Sequence, residues 1–246
     1  MTAPFRLEFP NTGSALGVRI SEPNELNSAL AAMELHPPRP TLVVVGGAGG
    51  FDEADMDRMR ALFESGIVPV MVKYGAVGVD GGTLAGVMRL FGEARAASGV
   101  PLVGVAAAGT VTLPGKPAPQ QDAADLEPHH THFVIVPGDQ WGAESPWIAQ
   151  TATVLADSAP SVTLLINGGE IAYADVERSV HAGRSVVAVA GSGRTADQFA
   201  AAVAGESADG RAAALIPSGL IRSVPADQPA ALAGLLEALL GEAAVK

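Results

Sequence analysis

The residues best suited to chemistry are Gly191, Ser192, Gly193 and Arg194, which sit between an apolar run and a helical pattern. A glycine turn that opens a helix leaves backbone N–H groups at the positive end of the helix dipole and lets an anion approach closely. Arg194 would add a planar, permanently charged fork at the same place. The chemistry expected there is capture of a phosphate, and so of a nucleotide-like ligand. Three other glycine pairs close apolar runs in the same way: Gly46-Gly47, Gly81-Gly82 with Thr83 behind it, and Gly168-Gly169. Any one of them could be only a tight turn between a strand and a helix. Four on separate strands point to one shared crevice. The chain has no strict G-x-G-x-x-G and no Gly-Lys-Ser/Thr phosphate loop.

Other reactive side chains are less telling. His130 and His132 stand two apart at the entry to a strand, a spacing that would turn both rings to one side. A metal needs more ligands than two, and His129, Glu127 and Asp125 lie nearby without a diagnostic spacing. A structural or loop-anchoring role is expected, and no metal. Ser192 lacks the G-x-S-x-G setting of a nucleophile and has no histidine placed to activate it. Arg89 falls on a helix after a glycine turn and reads as part of a solvated face.

The elements that must position these residues follow from hydrophobic periodicity. Phe5 to Phe9 and Ala15 to Ile20 read as strands joined by the Pro10–Gly13 turn, and Leu26, Leu30 and Met33 mark a helix ended by Pro37-Pro38-Arg39-Pro40. Thr41 to Val45 is an apolar strand that runs into glycines, and Asp52 reads as the cap of the next helix, which buries Met56, Met59 and Phe63. Gly66 to Lys73 suits a strand by composition or a second helix with Pro69 in its first turn. Strands are expected at Ala76 to Val79, Pro101 to Ala106, His132 to Val136, Val162 to Ile166, Ser185 to Ala190 and Ala213 to Ile216. Helices are expected around Leu84 to Phe91, Ser145 to Ala156, Ile171 to Val180, Thr195 to Val203 and from Asp227 through Leu239. This alternation predicts a doubly wound, mostly parallel α/β sheet with helices on both faces. The long polar stretch Gly109 to Pro128 is expected to act as a mobile lid.

Composition limits the rest. A chain of 246 residues with 48% hydrophobic content suits one large domain spanning 1–246. A net charge of -11 argues against nucleic acid and acidic membrane as partners, while a local nest with one arginine can still hold a small anion. The absence of cysteine excludes thiolate chemistry and disulfides. No signal-peptide pattern and no run long enough to span a bilayer is visible, so the cytoplasm is the expected compartment.

With these motifs assembled, the chain resembles the SLOG superfamily. It is most similar to the LSDAT branch, which includes the N-terminal cytosolic domain of melastatin-type TRP channels and its free-standing prokaryotic relatives. The resemblance lies in PPRPTLVVVGGAGGF, VGVDGGTLAGVMRLFGEA, LVGVAAAGTV, LEPHHTHFVIV, QWGAE, NGGEIAYADVE and VVAVAGSGRTAD, which occur in the family's order over roughly residues 15 to 205. It implies a Rossmann-like fold, favours the helical reading of Gly66 to Lys73, and implies binding of a nucleotide derivative such as ADP-ribose or a relative. Carried over by motif, contacts fall on Gly46, Gly47, Gly82, Thr83, Gly168, Gly169, Gly191, Ser192, Gly193 and Arg194. Trp141 stands where channel relatives have an aromatic, suited to stacking on a base. Where channels that bind ADP-ribose carry a basic residue, this chain has Ile148.

The resemblance also opens a second class of function. A more distant SLOG branch contains phosphoribohydrolases with a PGGxGTxxE signature. Here the corresponding stretch runs Asn167 to Asp175, with most of the signature replaced. Asp175 could still act as an acid or base in cleaving an N-glycosidic bond, with Glu170 or Glu177 as substitutes, or all three could simply decorate a helix surface. A third class is an assembly module with an empty crevice and the apolar C-terminal helix as its contact surface. The expected partner is a nucleotide-derived small molecule, with no further cofactor, and self-association into a homo-oligomer stays open.

Overall fold

The computed structural model describes residues 3–47 and 53–241. The proposed cap Asp52, the segment 48–52 around it and the side chain of Glu53 lie outside the described residues.

The chain opens with the hairpin β1 (Phe5–Phe9) and β2 (Gly13–Arg19), followed by α1 (Leu26–Ala32) and β3 (Thr41–Gly46). Next come α2 (Glu53–Ala61), α3 (Val68–Tyr74) and β4 (Val77–Asp80). Between α2 and α3 the backbone runs through a π-helical turn, Leu62–Ile67. The ambiguous Gly66 to Lys73 is therefore helical, with Pro69 just after the π-helical turn. Then follow α4 (Gly86–Arg95), β5 (Leu102–Ala107), the short strands β6 (Val111–Thr112) and β7 (Ala124–Asp125), and β8 (His132–Val136). The remainder is α5 (Ser145–Ala156), β9 (Ser161–Ile166), α6 (Glu170–His181), β10 (Ser185–Ala190), α7 (Arg194–Val203), α8 (Gly210–Leu215), β11 (Ile221–Pro225) and α9 (Pro229–Gly241).

Nine strands form one sheet in the order β1-β2-β8-β5-β4-β3-β9-β10-β11. Only the β1–β2 hairpin is antiparallel; the other pairings are parallel. The fold is thus the doubly wound α/β architecture that the alternating pattern predicts, Rossmann-like as the family resemblance implies. Strand side chains alternate between two cores. Val43 and Val45 of β3 face a layer containing α1, α5, α6, α7 and α8, while Leu42 and Val44 face α2, α3, α4 and α9. A smaller cluster of Leu7, Phe9, Phe133 and Ile135 seals the hairpin edge.

Strand order creates a switch point. From β3 the chain builds outward through β4, β5 and β8, then returns through α5 to place β9 on the other side of β3. Helices leave the carboxyl ends of β3 and β9 in opposite directions, which opens a crevice there. The two strands approach so closely that a β-carbon on Gly46 would overlap the Ile166 carbonyl oxygen.

Three expectations are corrected. Ala213 to Ile216 is not a strand but the end of α8, whose cap Asp209 accepts the Arg211 N–H at 2.8 Å. The real final strand is β11, an edge strand with only Ile221 and Val224 buried, so it lacks the apolar run of a central strand. Leu84 precedes α4 and is 44% exposed, so it adds nothing to that helix's buried face. The stretch Gly109 to Pro128 is also less open than its composition suggests. β6 and β7 pair within it, and Val111 and Leu126 are buried.

Candidate ligand site

A cavity of about 330 Å³ lies at the carboxyl ends of the central strands. Its floor is Val44 to Gly47 at the end of β3, with Gly81 and Thr83 after β4 and Ala106 of β5. Its walls are Met88, Thr110, Val111, Ile148, the start of α6 from Gly169 to Ala172, and Arg194. Trp141, Glu144 and Asp175 complete the lining. Parallel strands deliver their turns to one edge of the sheet, which is why segments more than a hundred residues apart meet here.

Of the residues singled out by sequence, Gly46, Gly47, Thr83, Trp141, Gly169, Glu170, Asp175 and Arg194 line this cavity. Gly82, Gly168, Gly191, Ser192 and Gly193 stand outside that lining. Gly82 has φ +69 and packs against Gly104, with its N–H donated to Asp80 Oδ1 at 2.7 Å. The Gly191 N–H is donated to Asp197 Oδ1 at 2.7 Å and the Ser192 N–H to Val189 O at 3.3 Å, so two donors of the expected phosphate nest serve the protein. Ser192 is 7% exposed; its hydroxyl donates to Val189 O at 2.6 Å and accepts from Asn167 N at 2.8 Å. Asn167 Nδ2 returns a bond to Ser192 O at 2.9 Å, and Thr195 Oγ1 donates to Gly169 O at 3.0 Å. These bonds stitch the β9 and β10 turns together. Arg194, with φ +51, takes its place beside Gly169, where a β-carbon would lie 3.0 Å from Nη2.

Thr83 is 3% exposed, and its Oγ1 has no hydrogen-bond partner in the protein. A buried hydroxyl left unmatched costs free energy that a ligand's polar group can recover.

Two carboxylates share the cavity. Asp175 Oδ1 accepts from Ser145 Oγ, which itself accepts from Arg178 Nη1 at 3.0 Å. Burial is the main cause that raises the Asp175 carboxyl to about 6; the Glu144 charge adds to it, against the Ser145 bond and the Arg178 charge. Burial likewise raises Glu144, whose two oxygens accept the Gly142 N–H at 3.1 and 3.0 Å. Glu144 escaped the sequence reading. Its signal was the local Trp141-Gly142-Ala143-Glu144 turn, but its convergence with Asp175 depends on how α5 packs against α6. Glu170 diverges: its side chain is 82% exposed and pairs with Arg211 at 2.7 Å. That pairing lowers the Glu170 pKa.

The histidines do not share a side. His130 precedes β8, is 2% exposed, and stacks on Phe133 with centroids 5.3 Å apart. It bridges Asp80 and Glu127, at 2.8 Å each, as the expected loop anchor. His132 meets Thr131 Oγ1 at 2.7 Å, and burial lowers its pKa to about 4. Among the described residues no three His, Asp or Glu side chains gather to hold a metal ion. Arg89 pairs with Glu93 at 2.7 Å on an exposed face.

Residues 39–233 match the family model described as SLOG in TRPM, prokaryote. The chain belongs to this family. It is 27% identical over 224 residues to transient receptor potential cation channel subfamily M member 2 of Mus musculus, a match covering 74% of this chain and 15% of the mouse protein. It is 26% identical over 222 residues to subfamily M member-like 2 of Nematostella vectensis, covering 73% of this chain and 14% of that protein. The family member described here thus spans a small part of these channels' length. Among solved structures, the molybdenum cofactor carrier protein of Chlamydomonas reinhardtii superposes with a TM-score of 0.53 at 14% identity, covering 83% of this chain and 99% of the carrier. That likeness concerns the fold. No helix among the described residues is long and apolar enough to cross a membrane.

Proposed function

We propose that the cavity binds a nucleotide-derived small ligand and that the protein acts as a binding or sensing domain. The observation that carries this reading is Thr83: a buried, unpartnered hydroxyl in the wall of an apolar cavity at the sheet's switch point. Around it stand Trp141, half open at 38% exposure and able to stack on a ring, and Gly169 with Arg194, suited to a phosphate. The wall position Ile148 is 7% exposed and apolar, so a second phosphate finds no cation there.

A second reading is hydrolysis of the ligand's N-glycosidic bond, favoured by two carboxylates in one cavity, Asp175 and Glu144, whose pKa values burial raises. Glu170, turned outward to Arg211, is a poor second carboxylate for that chemistry.

Incubation with a panel of nucleotides, followed by mass spectrometry of bound and released species, tests both. Intact ligand recovered from the protein supports binding. A released free base supports hydrolysis. No retention of any nucleotide overturns both readings and leaves an assembly module.

A further inference from the structure

The charges lining the cavity are unevenly matched. Arg194 lines the cavity close to Gly169, at the start of α6 and α7. Glu144 and Asp175 line the same cavity, as does Trp141. Glu170 is answered by Arg211 outside the cavity. Glu144 accepts the Gly142 N–H and has no cation bonded to it among the described residues, and Asp175 is joined to Arg178 by way of Ser145. Two carboxylates in an apolar enclosure without a direct ion pair are costly, and a ligand cation would supply the missing counter-charge. Trp141 offers the aromatic face that a cation prefers over other rings. Thr83, in the same cavity lining, carries a buried hydroxyl that no protein group answers.

We propose that the ligand is a nucleotide with a positively charged ring, a pyridinium-type nucleotide. Its ring lies against Trp141 beside Glu144 and Asp175, and its phosphate points to Gly169 and Arg194. This inference rests on the nucleotide-binding reading and narrows it to one ligand charge type. A neutral base would leave Glu144 without a cation and Asp175 with only Arg178, by way of Ser145; a free phosphate would answer only Arg194.

Nicotinamide mononucleotide and its reduced, dihydropyridine form test this directly. They share ribose and phosphate and differ in ring charge. Calorimetric titration of the full chain should find the cationic form bound roughly tenfold tighter than the reduced form. In Glu144→Gln, and in Glu144→Gln with Asp175→Asn, that ratio should fall toward one, chiefly through weaker binding of the cationic form. Circular dichroism checks that each variant is folded, and the wild-type ratio stands as a test even where a variant is not. Equal affinity for the two forms overturns the inference. So does adenosine monophosphate binding tighter than the cationic probe, while leaving the nucleotide reading in place. Binding of none of the three overturns both.

Discussion

His130 Nε2 lies 2.8 Å from Asp80 Oδ1 at the carboxyl end of β4, while His130 Nδ1 lies 2.8 Å from Glu127 Oε2. The three side chains are fully buried. Burial alone would lower the imidazole pKa, but the charge and hydrogen bond of Asp80, then those of Glu127, outweigh it and raise it to about 9. His129 Nδ1 also meets Glu127, at 2.6 Å, and Arg95 donates to His129 O at 2.9 Å. A raised histidine contributes stability that is full below its unfolded value near 6.5 and is lost as pH rises through about 9. Denaturant midpoints from pH 6.5 to 9.5 should therefore fall for the wild type. His130→Gln should lose about 3–5 kcal/mol at pH 6.5, because two buried carboxylates lose the cation they share. A wild-type midpoint that stays flat over that range would count against a charged His130.

Gly92 gives a prediction opposed to helix propensity. It lies inside α4, where alanine is ordinarily better by about 1 kcal/mol. A β-carbon at this position would overlap Glu127 Oε2, and that carboxylate is held by His129 N, His129 Nδ1 and His130 Nδ1. Gly92→Ala should lower the melting temperature, whereas Gly234→Ala in α9, with open space around it, should not. An unchanged or higher melting temperature for Gly92→Ala would mean that Glu127 can yield.

Arg194→Ala should weaken nucleotide binding by about 2–4 kcal/mol while leaving the fold nearly intact, since a charge-assisted contact to phosphate is lost. Arg194→Lys should recover part of that, because an ammonium cannot reproduce the planar fork. Calorimetric titration beside a thermal melt measures both. Reduced stability with unchanged affinity would assign Arg194 a structural role only.

The middle of the stretch between β6 and β7 should lose hydrogen-exchange protection before its ends do. The ends are pinned by Ala124 N to Thr110 O at 2.9 Å, Leu84 N to Asp125 O at 2.8 Å and Glu127 N to Gly82 O at 2.9 Å. From the middle, Asp122 reaches Trp141 Nε1 at 3.3 Å. Ligand stacked on Trp141 should slow exchange around 113–122, as expected of a lid. Equal, strong protection with and without ligand would rule out that movement.

The sequence by itself determined the elements whose signal is local. Buried parallel strands such as Thr41–Gly46 and Ser185–Ala190 show as apolar runs because both their faces are covered, and glycine pairs mark where those runs must turn. The family motifs and the α/β class follow from the same local signals. Tertiary structure alone decided what is set by pairing across distance. β11 takes one neighbour, β10, so its outer residues stay polar and its pattern carries no strand signal. The placement of β9 beside β3 chose Gly46 and Gly169 for the cavity wall, while the bonds from Asn167 drew Ser192 into the packing between turns. Glu144, the residue before α5, and Asp175, on α6, are 31 residues apart, and only the packing of α5 against α6 brings them to one cavity. Periodicity reports which face of an element is buried; it holds no record of which other element covers that face.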